Sequence, residues 1–510
     1  MRISAASLFT AALLGPAAAQ EAPLSAIDWL SDGVAAQAAA PALGAPVEPA
    51  AGGVKLEEIT VTPLGETSAD AVGLLPSAIT GLPRDLWGST SSAELAKLIR
   101  AAQTGLLPAP AQLLFTVLLA ELDPPADSDP SNQLFLARID ALTALGAVDQ
   151  ARALIERAGA DDPESFRRYF DASLLTGTED TACSQLIASP DLAPSFAARI
   201  FCLARTGDWQ AATVTLQTAR VLGETTGAED AALTRFLDPE TFDGAPPLPA
   251  PARPDALLFR LHEAIGEPLP TGSLPLAFAQ ADLRPVRGWK AQIEAAERLA
   301  RSGAIDGNRL LGLYTERLPA ASGGVWDRVA AVQRFDLALA SGDPGAVADT
   351  LPPVWQAMGN AGLRPIFAAL YADKLQGVAV SGDAGDIAFE AGLLSNGYET
   401  AATARAPESG RDRFLKALAR GDLAGVPAPD GIAAAIAEGF QSTGAPGRLT
   451  RLVDRGDLGA AILQAIALTG DAAQGDLPKL SDALALFRAV GLEDAARRTA
   501  LQMMILEPGA

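Results

Sequence analysis

The chain has 510 residues, 49% hydrophobic and only 5% aromatic, with 39 basic against 61 acidic side chains and a net charge of −22. That length supplies a large core, while the charge, with no lysine- or arginine-rich run to offset it, speaks against nucleic acid as a partner. One histidine and two cysteines are too few to build a zinc site.

The first elements read as an export signal. Arg2 supplies a positive start, residues 3–15 are largely apolar, and Ala17, Ala18 and Ala19 meet the small-residue cleavage rule. This predicts a signal peptide over residues 1–19, cleavage after Ala19, and a periplasmic protein. The apolar stretch is too short to span a bilayer. No later segment reaches 18 uninterrupted apolar residues, so no transmembrane segment is expected.

Residues 20–86 form a tail rich in alanine and proline, expected to be mostly disordered or extended. Within it, Leu24, Ile27 and Leu30 fall on one face of a short helix and Trp29 adds a large anchor. Ile27, Trp29 and Leu30 are therefore candidate partner-binding residues. Three fates are open to this island: docking on a partner, folding back on the chain's own helices, or neither. Residues 55–63 have the β-branched alternation of a strand but no second strand to pair with, so they are expected to lie extended. Residues 81–87 read as a tight entry into the folded body.

Helices follow from Ser92 onward, with segments predicted at 111–122, 134–145 and 149–158. A first helical body spans 87–244, a proline-rich linker 245–254, and a second helical body 255–510. In the first body, Cys183 and Cys202 stand almost symmetrically about a turn containing Pro190 and Pro194. Pro190 stops one helix and Pro194 suits the first turn of the next. An antiparallel hairpin would then face the two cysteines, as a disulfide requires. The alternative is two small buried thiols. A structural role is expected in either case, because a redox pair more often reads Cys-x-x-Cys.

One phrase recurs from Leu145 to Leu492: an apolar helical run, a glycine, then an acidic or apolar residue opening the next helix. Its copies centre on Gly146, Gly207, Gly342, Gly397, Gly421, Gly456 and Gly491. Glycine accepts the left-handed conformation that closes a helix, and aspartate caps the next. Gly421, Gly456 and Gly491 stand 35 residues apart, close to the 34-residue tetratricopeptide period. The pattern resembles degenerate tetratricopeptide-like repeats with insertions, although the repeat's Trp/Gly/Tyr signature is incomplete. The resemblance implies an all-α protein whose helical hairpins stack into a solenoid or superhelix.

No catalytic, cofactor or metal residues are expected. His262 reads as a partly exposed residue of an amphipathic helix. Phosphate-binding, dinucleotide and nucleophile-elbow motifs are missing. Glu408-Ser409 and residues 442–447 resemble fragments of the lytic transglycosylase motifs, but the gap between them is too long and Pro407 and Gly410 put Glu408 in a turn. Alanine-rich antifreeze helices offer no better match, since no threonine ladder runs through these helices. The sequence therefore points to a non-catalytic periplasmic scaffold or adaptor for a protein or peptide partner in the cell envelope. A helical cell-wall glycan hydrolase and an accessory subunit of an envelope machine, such as a flagellar motor, are the alternatives.

Overall fold

The structure is a computed structural model that describes residues 68–442 and 444–506. Residues 1–19, expected to be a signal peptide, the Ile27/Trp29/Leu30 island and the segment 55–63 lie outside these residues. The described chain carries 25 α-helices and no strand. No described helix is long and apolar enough to cross a membrane.

Local rules account for many of the boundaries. The predicted segments correspond to helices Ser92–Ala101, Pro108–Leu119, Gln133–Ala144 and Val148–Ala158. The Pro108–Leu119 helix opens on proline, whose missing N–H costs nothing in a first turn. At six of the seven recurring glycines φ is positive, from 67° at Gly342 to 94° at Gly207. Gly397 departs: as the N-cap of helix Tyr398–Ala404 it has φ −88°, and its N–H is taken by the Ser395 hydroxyl at 3.0 Å. A serine turn thus replaces the left-handed closure there. Asp208 and Asp343 cap the helices that follow them, accepting from the N–H groups of Ala211 and Gly345.

Helices adjacent in sequence pack as hairpins, for example Val325–Ser341 on Pro344–Asn360 and Leu458–Ala473 on Leu477–Ala489. Helix Ala256–Ala264, beyond the proline-rich segment, packs on Pro163–Thr176 and Gly227–Leu237, before it. The proline-rich segment is itself fastened: Arg235 donates to the Pro246 carbonyl at 2.8 Å, and the Leu248 N–H to Glu267 at 2.8 Å. The apolar interior forms one continuous cluster from Leu82 to Ile505.

Residues 68–86, which the sequence groups with the tail, pack on this body. Leu86 and Trp87 are buried. Asp70 accepts the Phe135 N–H at 2.7 Å. Beside it, fully buried Arg138 donates to the carbonyls of Leu118, Val72, Ala120 and Asp70 at 2.8 to 3.2 Å. Burial pushes the Arg138 guanidinium down to about 10, with Asp70's charge opposing. Four carbonyls, including those at the end of Pro108–Leu119, satisfy a cation that would otherwise be costly to bury.

The last helices meet the first. Helix Leu458–Ala473 packs on Ser92–Ala101 and Pro108–Leu119, and Glu493–Ile505 also packs on Pro108–Leu119. Small residues make this closure possible. Gly459 gives its N–H to the Leu86 carbonyl at 2.7 Å, and a Cβ there would fall 2.6 Å from the Trp87 ring. Three turns on, a Cβ on Gly470 would stand 2.1 Å from the Thr104 carbonyl oxygen. The recurring aspartate at 457 is diverted to the same contact. It caps nothing in its own helix but accepts the Ser89 N–H and hydroxyl, each at 2.8 Å, and the Arg455 guanidinium at 3.0 Å. Burial alone would raise the Asp457 carboxyl; the donors from Ser89, Arg455 and Thr90 outweigh it and hold it below its ordinary value.

Candidate functional site

Cys183 and Cys202 come together as the hairpin geometry requires. Cys183 sits on Glu179–Ala188 and Cys202 on Phe196–Arg205, with a 3₁₀ turn at Pro190–Leu192 between them. Both are fully buried, their Cα atoms 4.8 Å apart and their sulfurs at bonding distance. The bridge ties helix Glu179–Ala188 to Phe196–Arg205 and so locks one hairpin.

His262 differs from expectation. It is buried, 2% exposed, because Ala256–Ala264 is sandwiched between helices on two sides. Burial pushes its imidazolium below the usual histidine range, opposed by Glu267. Glu408 precedes helix Gly410–Ala419, whose cap is Ser409 accepting the Asp412 N–H, and its own side chain is 72% exposed. Arg405 is 3.5 Å away. The described part of 442–447 does not line the shallow depression around Glu408. The two fragments of the transglycosylase-like pattern are therefore not brought into one site. Among the described residues, no group of three His, Cys, Asp or Glu side chains is placed to hold a metal.

Two other features stand out. The first is the outer face of helix Trp209–Leu222. Ala212, Leu216 and Ala219 face the core, whereas Gln210, Val214, Gln217 and Val221 lie on the opposite side and are exposed. Their spacing of four, three and four residues makes a continuous stripe. Val214 is 56% exposed and Val221 88%. The stripe carries no charge in a strongly acidic chain. The helix's one ionised side chain, Arg220, is engaged by Asp230.

The second is a cavity of about 350 Å³ where distant parts of the chain converge. Its wall takes Phe115 and Leu119 from Pro108–Leu119, Arg301 from Trp289–Ser302, Ile366 and Ala369 from Arg364–Leu375, and Arg498 and Gln502 from Glu493–Ile505. The closure fixes one side, since Gln502 accepts the otherwise unpaired first-turn N–H of Ala109 at 2.8 Å. Arg498 and Gln502 are one turn apart on the same helix face. Arg498 donates to the Asn396 side-chain oxygen at 2.9 Å, and Arg301 to the Ala361 carbonyl at 3.2 Å. Gln150 donates to the Ala304 carbonyl at 3.3 Å, while its own oxygen receives no hydrogen bond. The lining contains two arginines and no carboxylate. Neither arginine has a carboxylate within 4.0 Å among the described residues, whereas the adjacent Arg497 is held by Glu493 and Glu399.

The cavity is not signalled in the sequence. Arg301 ends one helix, Asn396 lies in a turn between two others and Arg498 sits within a fourth, and only tertiary folding joins them. The Gln210/Val214/Gln217/Val221 stripe could have been found by asking which face of that helix has no core-facing alanine or leucine.

No protein-family model matches this chain, and no curated protein or solved structure is significantly similar to it.

Proposed function

We propose that the protein is an exported, non-catalytic adaptor that holds a protein or peptide partner in the cell envelope. On this reading residues 1–19 are a signal peptide removed after Ala19, and the helical hairpins are tetratricopeptide-like repeats wound into a superhelix. The observation that carries the reading is the uncharged stripe of Gln210, Val214, Gln217 and Val221. A soluble chain has no folding reason to expose two valines on one helix face between neutral amides. The four-three-four spacing matches what a partner helix needs to interlock. The neighbouring disulfide-linked hairpin keeps the presenting helix rigid, which lowers the ordering cost of binding.

The test is a photo-crosslinker at Gln217 in the exported protein of a Gram-negative cell that carries the gene. The adaptor reading expects one dominant envelope adduct that Val214→Lys/Val221→Lys removes while helical content and melting temperature hold. It also expects a periplasmic mature chain beginning at Gln20. A full-length cytosolic chain, or an adduct pattern indifferent to the double substitution, would overturn it.

A further inference from the structure

We infer that the cavity at the chain closure is a binding site for a small apolar monocarboxylate, such as a single-chain fatty acid. Its wall is built from helices other than Trp209–Leu222, so the inference stands apart from the adaptor reading. The charge pattern is the first argument. The whole chain is acidic at −22, yet this wall has Arg301 and Arg498 and no acid. Each guanidinium has five N–H donors, and the described protein groups engage each arginine through one hydrogen bond, at Ala361 and Asn396. The remaining donors suit a carboxylate, which accepts two parallel bonds from one arginine.

The rest of the wall sets the body of the ligand. Phe115, Leu119, Ile366 and Leu394 offer hydrocarbon surface with no further charge. At about 350 Å³ the space lies near the lower end of ordinary ligand sites and suits a single chain rather than a two-chain lipid. Arg301, Asn396 and Ala369 are exposed, so the cavity is open to solvent at its rim, while Gln502 is buried. An acid lodged here would touch both the first and the last helices of the described unit and so stabilise their contact.

Calorimetric titration of the purified full chain with decanoate, 1-decanol and decyltrimethylammonium tests this directly. The inference expects one decanoate per chain and much weaker binding of the other two. Affinity should rise about fourfold per added methylene until the cavity is full. Arg301→Gln with Arg498→Gln should weaken decanoate binding at least tenfold with an unchanged circular dichroism spectrum. Ala369→Trp, which fills the rim and leaves both arginines, should also block binding. Failure of decanoate to bind the folded protein would overturn the inference. So would decanol binding as tightly as decanoate, or decanoate affinity unmoved by these substitutions.

Discussion

Replacing Gly470 with alanine sets two effects of opposite sign against each other. Gly470 lies inside helix Leu458–Ala473, where alanine is favoured over glycine by about 1 kcal/mol through backbone entropy. Against this, the new Cβ would stand 2.1 Å from the Thr104 carbonyl oxygen, whereas carbon and oxygen normally approach no closer than about 3.3 Å. The loop at Thr104 and Gly105 must retreat by more than an ångström, and overpacking of this kind costs about 1–3 kcal/mol. The loop cannot yield alone, because it leads directly into the Pro108–Leu119 helix that packs on Leu458–Ala473 and Glu493–Ile505. With a retreat this large the steric cost lies toward the top of that range and should win, giving a net loss of up to about 2 kcal/mol. Gly312→Ala is the control: it also lies in a helix, Gly307–Thr315, but a Cβ there meets nothing within 4 Å. That substitution should stabilise by about 1 kcal/mol. A chain of this size need not unfold in one step, so hydrogen exchange across residues 98–107 and 466–474 is the decisive readout, with urea unfolding alongside. Faster exchange in both segments for Gly470→Ala alone is expected. If Gly470→Ala stabilises as Gly312→Ala does, with exchange unchanged, the packing of the last helices on the first is wrong.

Asp457→Asn should destabilise at pH 7 in a pH-dependent way. The folded carboxyl is held below its ordinary value, so its contribution is full above the unfolded aspartate value of about 3.9 and is lost as pH falls through the folded value. The melting-temperature gap between parent and variant should therefore hold from pH 7 to about pH 5 and shrink as pH falls below about 4; a gap that stays constant through the acid range would contradict this. Cys183 and Cys202 are 19 residues apart, and closing such a loop stabilises by about 3 kcal/mol in the chain-entropy model. Reductant, or Cys183→Ala with Cys202→Ala, should lower the urea midpoint accordingly, and an unmoved midpoint would remove the hairpin lock from the account. Arg138→Met should cost at least about 3 kcal/mol, because it strands three buried carbonyls and a half-buried one and leaves Asp70 without its neighbouring cation. A loss under about 1 kcal/mol in urea unfolding would show those carbonyls to be satisfied otherwise.

The helical class and most hairpin turns are legible because their causes are local. Apolar periodicity marks Gln133–Ala144 and Val148–Ala158, the glycine at 146 marks the break between them, and Pro190 with Pro194 places the cysteines. Gly397 shows where local reading fails, since the Ser395 hydroxyl supplies another way to end the helix. The closure is invisible to such rules. Asp457 reads as one more capping residue, and Gly459 and Gly470 read as weak points in an alanine-rich helix, until the Leu86–Trp87 backbone and the Thr104 loop are laid against them. His262 is misread because its helix is covered on a face the sequence gives no reason to count as buried. The cavity arginines escape notice for the same reason: nothing along the chain says that Arg301 and Arg498 share a wall.

The two ends of the described body touch, and a paired substitution measures that contact. Ser89→Cys with Asp457→Cys places two thiols where the parent side chains are hydrogen-bonded at 2.8 Å, and a disulfide forms only if the two Cα atoms come within about 7 Å. The native cysteines are already bridged to each other and should not compete. Mild oxidation followed by non-reducing peptide mapping should show a residue 89–457 link beside the native one, in protein that keeps its helical spectrum. Unlinked thiols at both positions in well-folded, fully oxidised protein would contradict the closure and with it the cavity it builds.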